Sequence, residues 1–257
     1  MKIASILPYK ENYSKRGAGA VALWISEFMR DSIYKEETYI IGNTSNKKYL
    51  TKNYININIS NINSRLNSTT KEYSNNIFKR IKDLNFDIIE IHNRPVMVKE
   101  FLKRVNSKII LYFHNDPTTM KGAKSVNERI HLLENVDKII FISKWVKQRF
   151  FKDLPTLSDN KSQIIYHSID PIKKKIKKNK QIIFVGKLNE AKGYDLYCKS
   201  MFKVLNLYKD WKAFSVGEEK RFQNYPTHKR HFNLGQISHK KVLDFLGKSE
   251  IAIIPSR

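Results

Sequence analysis

Short apolar runs rich in β-branched and aromatic residues alternate along this chain with longer segments whose apolar residues recur at helical spacing. Residues 2–8, 38–42, 54–59, 87–91, 108–113, 138–142 and 163–169 read as strands. After the first strand and a glycine-bearing loop, Val21, Leu23, Trp24, Phe28 and Met29 form the apolar face of a helix. A second helix is expected near 71–84, and a third over 144–152 behind Ser143 as N-cap. Between 43 and 76 the chain is rich in Asn, Ser and Thr and reads as a long, mobile surface loop. The charge run 172–180 (IKKKIKKNK) follows a proline and reads as a linker. Behind it the alternation restarts with strands at 182–185, 211–216, 231–234 and 251–255 and a helix at 239–248. The pattern predicts an α/β chain with doubly wound parallel sheets: a first domain at 1–171 and a second at 181–257.

The candidate chemistry gathers where strands end. In QIIFVGKLNEAKG (181–193) a buried strand runs into Gly186 and Lys187, with Lys192 and Gly193 before the next helix. That order presents backbone N–H groups and positive charge to a phosphate, although an ordinary turn with solvated lysines has the same pattern. Gly17 and Gly19 flank Ala18 after the first strand, where they would close a loop over a ligand or simply form a turn. No G-x-G-x-x-G accompanies them, which argues against a dinucleotide. Two further strands end in His92-Asn93-Arg94-Pro95 and His114-Asn115-Asp116-Pro117, at the edge where open α/β sheets bind ligands. The spacing of the two histidines lacks a metal-binding pattern. Each is a candidate to hydrogen-bond a ligand, or else a satisfied histidine at a strand end.

Composition narrows the partners. Of 257 residues, 41% are hydrophobic, enough for substantial cores, and the one cysteine, Cys198, excludes an internal disulfide framework. No signal-peptide or membrane-spanning run is evident, so a cytoplasmic protein is expected. The net charge of +24 points to phosphate-bearing substrates, anionic lipid or nucleic acid. The heavy use of Lys, Asn, Ile, Tyr and Phe, all residues of A/T-rich codons, accounts for part of that excess. A nucleic-acid binder would favour Arg over Lys, and no helix-turn-helix, RNP or zinc pattern is present. Segment 144–152 mixes bulky apolar residues with cations, and would rest on anionic lipid or pack on the core with a solvated basic side.

Taken together, these segments resemble retaining glycosyltransferases of the GT-B type, family 4 or group 1. IIFVGKLNEAKGYDLYCKSM is similar to the opening of that family's second domain, and FNLGQISHKKVLDFLGKSEIAIIPSR to a later segment of it. DIIEIHNRP, LYFHNDP, VDKIIFIS and IIYHSID follow the family's order in the first domain. The resemblance implies two Rossmann-like domains and transfer of a sugar, with retention, from a nucleotide-diphosphate donor, UDP being the commoner. It implies a glycan or lipid-linked acceptor, a role in cell-surface polysaccharide or lipopolysaccharide synthesis, and contact with the inner membrane face. It implies that neither a metal nor a cofactor is required. Lys187 and Lys192 would neutralise the diphosphate, Lys187 standing where the family has arginine. Gly186 would let the backbone approach the phosphates, and the Gly17–Gly19 loop would lie over them. Gly217 and Glu218 match a position near the nucleotide. His114 matches a histidine near the reacting sugar, and His92, Asn93, Asn115 and Asp116 fall on the acceptor side. The family continues past the Pro-Ser motif into a glutamate-rich E-x7-E segment, so the second domain is expected to be incomplete. A non-catalytic remnant and a basic surface-binding protein are the alternatives.

Overall fold

The computed structural model describes residues 1–15, 17–45, 48–59, 68–155, 159–168, 176–219, 221 and 224–257. They form two units: residues 1–14 and 18–169, and residues 15–17 and 170–257. The interior of the expected linker, 172–175, lies outside the described residues.

In the first unit the strands are β1 (Ile3–Ile6), β2 (Thr38–Gly42), β3 (Tyr54–Asn56), β4 (Ile88–His92), β5 (Lys108–Phe113), β6 (Lys138–Phe141) and β7 (Ser162–Ile164). They make one sheet in the order β3-β2-β1-β4-β5-β6-β7. Every pairing in it is parallel. The order reverses between β1 and β4, and that switch point is where such sheets open a crevice at their carboxyl ends. The helices α1 (Ala20–Asp31), α2 (Thr69–Ile81), α3 (Val98–Leu102), α4 (Val126–Asn135) and α5 (Lys144–Phe151) pack on the sheet. One core layer joins Ile77, Ile89, Phe101, Leu111, Phe141 and Phe150. The other joins Trp24, Ile25 and Met29 of α1 to Ile40, Tyr112 and Ile140.

Two expectations are corrected here. The polar stretch 43–76 is not a continuous surface loop: Thr44, Ile57, Tyr73 and Ser74 are buried. Thr44 turns its polar side chain inward. Thr44 Oγ1 accepts from the Tyr13 backbone N–H at 2.9 Å and bonds the Tyr54 hydroxyl at 2.7 Å. Tyr13 and Tyr54 stack with ring centroids 5.1 Å apart. Helix α2 already begins at Thr69, where Ser68 caps it by accepting from Lys71 N–H. The second correction is α4, which the apolar pattern did not announce. It starts at a capping box, in which Ser125 Oγ accepts from Glu128 N–H and Glu128 returns a bond from Ser125 N–H. Ser125→Ala is expected to lower the unfolding free energy by about 1 kcal/mol. Urea unfolding would show this, and an unchanged midpoint would contradict it.

The second unit has strands β8 (Asn179–Val185), β9 (Lys212–Val216), β10 (His231–Asn233) and β11 (Ser249–Ala252), in the parallel order β10-β9-β8-β11. Helices α6 (Tyr194–Leu207) and α7 (His239–Lys248) accompany them. Strand β8 starts at Asn179, so the last two residues of the expected linker belong to the sheet. The final strand lies earlier than 251–255, because Ser249 and Ile251 find register with Asn179 and Ile182. The core gathers Ile182 and Phe184 against Tyr194, Tyr197, Cys198 and Met201 of α6.

Candidate functional site

The carboxyl edge of the first sheet carries a row of hydrogen-bonded imidazoles. His92 is the last residue of β4 and pairs in register with Tyr112 of β5, while His114 follows β5 directly. Ser5 Oγ of β1 lies 2.9 Å from His92 Nε2. His92 Nδ1 is 3.0 Å from His114 Nε2, and His114 Nδ1 is 3.0 Å from Nε2 of His167, which follows β7. Trp24 of α1 lies against all three rings, stacking on His167 with centroids 5.0 Å apart. His92 and His114 are buried, whereas His167 is exposed. Burial, reinforced by the neighbouring His92 and His167 rings, pushes the His114 pKa down to about 2. His114 is therefore a neutral hydrogen-bonding group across the physiological range.

The acceptor-side candidates divide. Asn93, at a left-handed φ of 54°, accepts from the His114 backbone N–H at 2.7 Å and donates to Asn115 Oδ1 at 3.1 Å. These two asparagines thus surround His114. Asp116 is already engaged. Its Oδ1 accepts from Thr118 N–H and Oγ1, and its Oδ2 accepts from Arg149 Nε at 2.9 Å. Burial works against its charge, but the bonds from Thr118 and Arg149 hold its carboxyl below the usual range. Asp116 thus caps a turn and anchors α5.

In the glycine loop after β1 a carboxylate stands at the helix start. Glu11 Oε1 accepts from Ala22 N–H at 3.0 Å at the start of α1. It stands where a Cβ on Gly19 would be, at 2.1 Å. Gly19 admits the carboxylate, which already satisfies the helix start that a phosphate would use. Gly17 takes a left-handed φ of 80°.

In the second unit three glycines end three adjacent strands: Gly186 after β8, Gly217 after β9 and Gly235 beyond β10. Gly186 N–H donates to Val216 O at 2.9 Å and Gly217 N–H to Gly235 O at 3.0 Å. A Cβ on Gly217 would stand 1.8 Å from Gly186 O, so the strand ends approach as closely as they do only without one. Lys187 and Lys192 are exposed, and their amines have no hydrogen-bond or ion-pair partner among the described residues. Asn189, which sequence reasoning missed, caps the turn before Lys192 by accepting from its N–H at 3.2 Å. Its amide donates to Glu219 Oε2 at 3.2 Å. Glu218 is exposed, and Glu219 is the ordered carboxylate, held down to about 2 by bonds from Arg221 and then Asn189. The turn is braced by Arg257, whose guanidinium donates to both Asp195 oxygens at 2.8 Å and to Glu190 O.

A groove of about 960 Å³ lined by Phe78, Phe86, Arg104 and Lys108 lies at the amino edge of the first sheet, away from this chemistry. Open parallel sheets bind at the opposite edge, so the groove is not assigned as the site. Among the described residues no group of three or more His, Cys, Asp or Glu is placed to hold a metal. No described helix is long and apolar enough to cross a membrane.

Known proteins resemble this chain in part of its sequence and in its fold. Residues 167–257 match the family "Glycosyl transferases group 1". YtcC of Bacillus subtilis, itself only proposed to be a glycosyltransferase, is 27% identical over 60% of this chain, which spans 44% of that relative's length. Sucrose-phosphate synthase of Thermosynechococcus elongatus superposes with a TM-score of 0.73 at 12% identity, over 99% of this chain and 75% of that one. HepE of Anabaena, solved with UDP and glucose, gives a TM-score of 0.64 at 11% identity, over 100% and 74% of the two chains. The chain therefore has an α/β fold of the GT-B kind built from two Rossmann-like units, and its second unit carries the group 1 glycosyltransferase match.

Proposed function

We propose that the chain is the whole or a part of a retaining, family 4 type glycosyltransferase that takes a hexose from a nucleotide-diphosphate donor. The observation that carries this reading is the glycine-ended edge of the second sheet. There Gly186 and Gly217 bring backbone close together beside two free cations, Lys187 and Lys192, inside the segment that matches the family. In the transfer an acceptor hydroxyl oxygen bonds to the sugar's anomeric carbon as the bond from that carbon to the diphosphate breaks. The hydroxyl proton leaves with the diphosphate. The charge that develops on the leaving group is what the two ammonium groups and the backbone N–H groups would stabilise, without a metal or other cofactor. Asn93 and Asn115 would hold sugar hydroxyls at the edge of the first sheet, backed by His92 and His114, whose ring nitrogens are engaged with Ser5, each other and His167. UDP is the preferred nucleotide because similar folds have been solved with UDP. The acceptor would be a glycan or lipid-linked sugar of the cell surface, reached from the cytoplasmic membrane face, with Trp145 exposed among cations on α5.

Calorimetric titration of the chain with UDP and, separately, GDP tests the donor site. Saturable one-to-one binding is expected, weakened about tenfold by Lys187→Ala and by Lys192→Ala, the loss of about 1.4 kcal/mol per charge contact. Unchanged affinity in the double variant would remove the two lysines from the site, and no binding of either nucleotide would overturn the donor reading.

A further inference from the structure

The three imidazoles constrain one another in a way that the donor reading does not use. Each N···N contact, His92 Nδ1 to His114 Nε2 and His114 Nδ1 to His167 Nε2, holds a single proton between two nitrogens. A neutral ring carries one proton, so three neutral rings in this row must share one tautomer. Either all are protonated on Nε2 or all on Nδ1. The inner end decides which. Ser5 Oγ can donate to His92 Nε2 or accept from it, and so imposes nothing. Glu90 Oε2 stands 3.7 Å from the same Nε2, and its other oxygen accepts from the Tyr112 hydroxyl at 3.1 Å. A carboxylate beside Nε2 favours a proton there. The preference then passes along the row, leaving Nδ1 of exposed His167 as a bare lone pair. That atom has no partner among the described residues, and the ring is held in place by Trp24.

We propose that His167 is a sugar-binding residue whose Nδ1 accepts a hydrogen bond from a substrate hydroxyl, and that Glu90 is a positioning residue setting this polarity through His92 and His114. The choice of a sugar as ligand rests on the glycosyltransferase reading, whereas the tautomer relay does not. The arrangement converts a half-buried charge into a directional contact at the surface. It favours a hydroxyl, which can donate, over a phosphodiester, whose oxygens carry no proton to donate.

The test is ¹⁵N NMR of the chain with labelled histidine, at about pH 8, above the ordinary imidazole range. Single His→Gln variants assign the signals of the seven histidines. The expected spectrum shows His92, His114 and His167 all protonated on Nε2, and different tautomers among them would overturn the relay. In Glu90→Gln the three rings should lose that uniform state together; retention of it would remove Glu90 from its role. Methyl glycosides of glucose, galactose, mannose and N-acetylglucosamine are then titrated in, with dimethyl phosphate, which has no O–H to donate, as the contrasting phosphate probe. A saturable shift of His167 Nδ1 with at least one glycoside and none with dimethyl phosphate is expected, and His167→Gln should weaken that glycoside about three- to tenfold. A shift with dimethyl phosphate alone, or with no probe, would overturn the assignment of a hydroxyl site. UDP calorimetry on the same sample separates the readings, because UDP binding without a sugar shift retains the donor site and rejects only this inference.

Discussion

Gly217→Ala is expected to destabilise the second unit by roughly 3–5 kcal/mol and to abolish nucleotide binding. A methyl at this position would meet the carbonyl oxygen of Gly186 at 1.8 Å. That oxygen belongs to the backbone at the end of β8, so no side-chain rotation relieves the contact. The φ of 139° adds a conformation that alanine adopts only with strain. Relief requires the ends of β8 and β9 to separate, which breaks the bond from Gly186 N–H to Val216 O and moves Lys187 with it. Gly235→Ala is the control. Its φ of 62° is also left-handed, but nothing lies within 4 Å of the added methyl. It should cost only the backbone term, about 1–2 kcal/mol. Urea unfolding of the two variants beside UDP titration decides the matter. Equal stability of the two would show that the close approach of the strand ends is not constraining.

Acid should unfold the first unit through His114. In the folded chain this ring takes up a proton only near pH 2, because burial and the flanking rings oppose the charge. In the unfolded chain a histidine takes one up near pH 6.5, so between those values the unfolded state binds more protons. The stability associated with the neutral ring is complete above about pH 6.5 and is lost as the pH falls, at about 1.4 kcal/mol per pH unit. At about pH 4.5 the loss reaches about 2.7 kcal/mol, a large part of what holds a domain together. His114→Asn should flatten this dependence by about 1.4 kcal/mol per unit between about pH 6 and 4, whatever its own baseline stability. Hydrogen exchange of β5 amides across that range measures the slope, and an unaltered slope in the variant would assign the acid sensitivity to other groups.

Much of the site's parts list was legible in the chain. Gly186, Lys187 and Lys192 follow a strand whose four apolar residues could hardly be anything else, and His92 and His114 end two more such strands. Local signals of that kind survive folding because strand burial and strand ends depend on a few neighbouring residues. The capping box at Ser125 and Glu128 was equally readable and marks a helix that the apolar pattern alone does not reveal. Asn189, three residues before Lys192, offered the same kind of capping signal.

What the sequence by itself determined is the alternation of elements, the division into two α/β units, and the gathering of glycine, lysine and histidine at strand ends. These follow from hydrophobic period and turn chemistry, which act over a few residues. Only the tertiary structure decided which of those residues cooperate. Ser5 of β1, Glu90 and His92 of β4, His114 after β5 and His167 after β7 come from separate parts of the chain, and the order β1-β4-β5-β6-β7 is what lines them up. The same packing turned Asp116 toward Arg149 and placed Glu11 at the start of α1. A side chain's type states which bonds it can make; which partner satisfies it depends on contacts that no local spacing encodes.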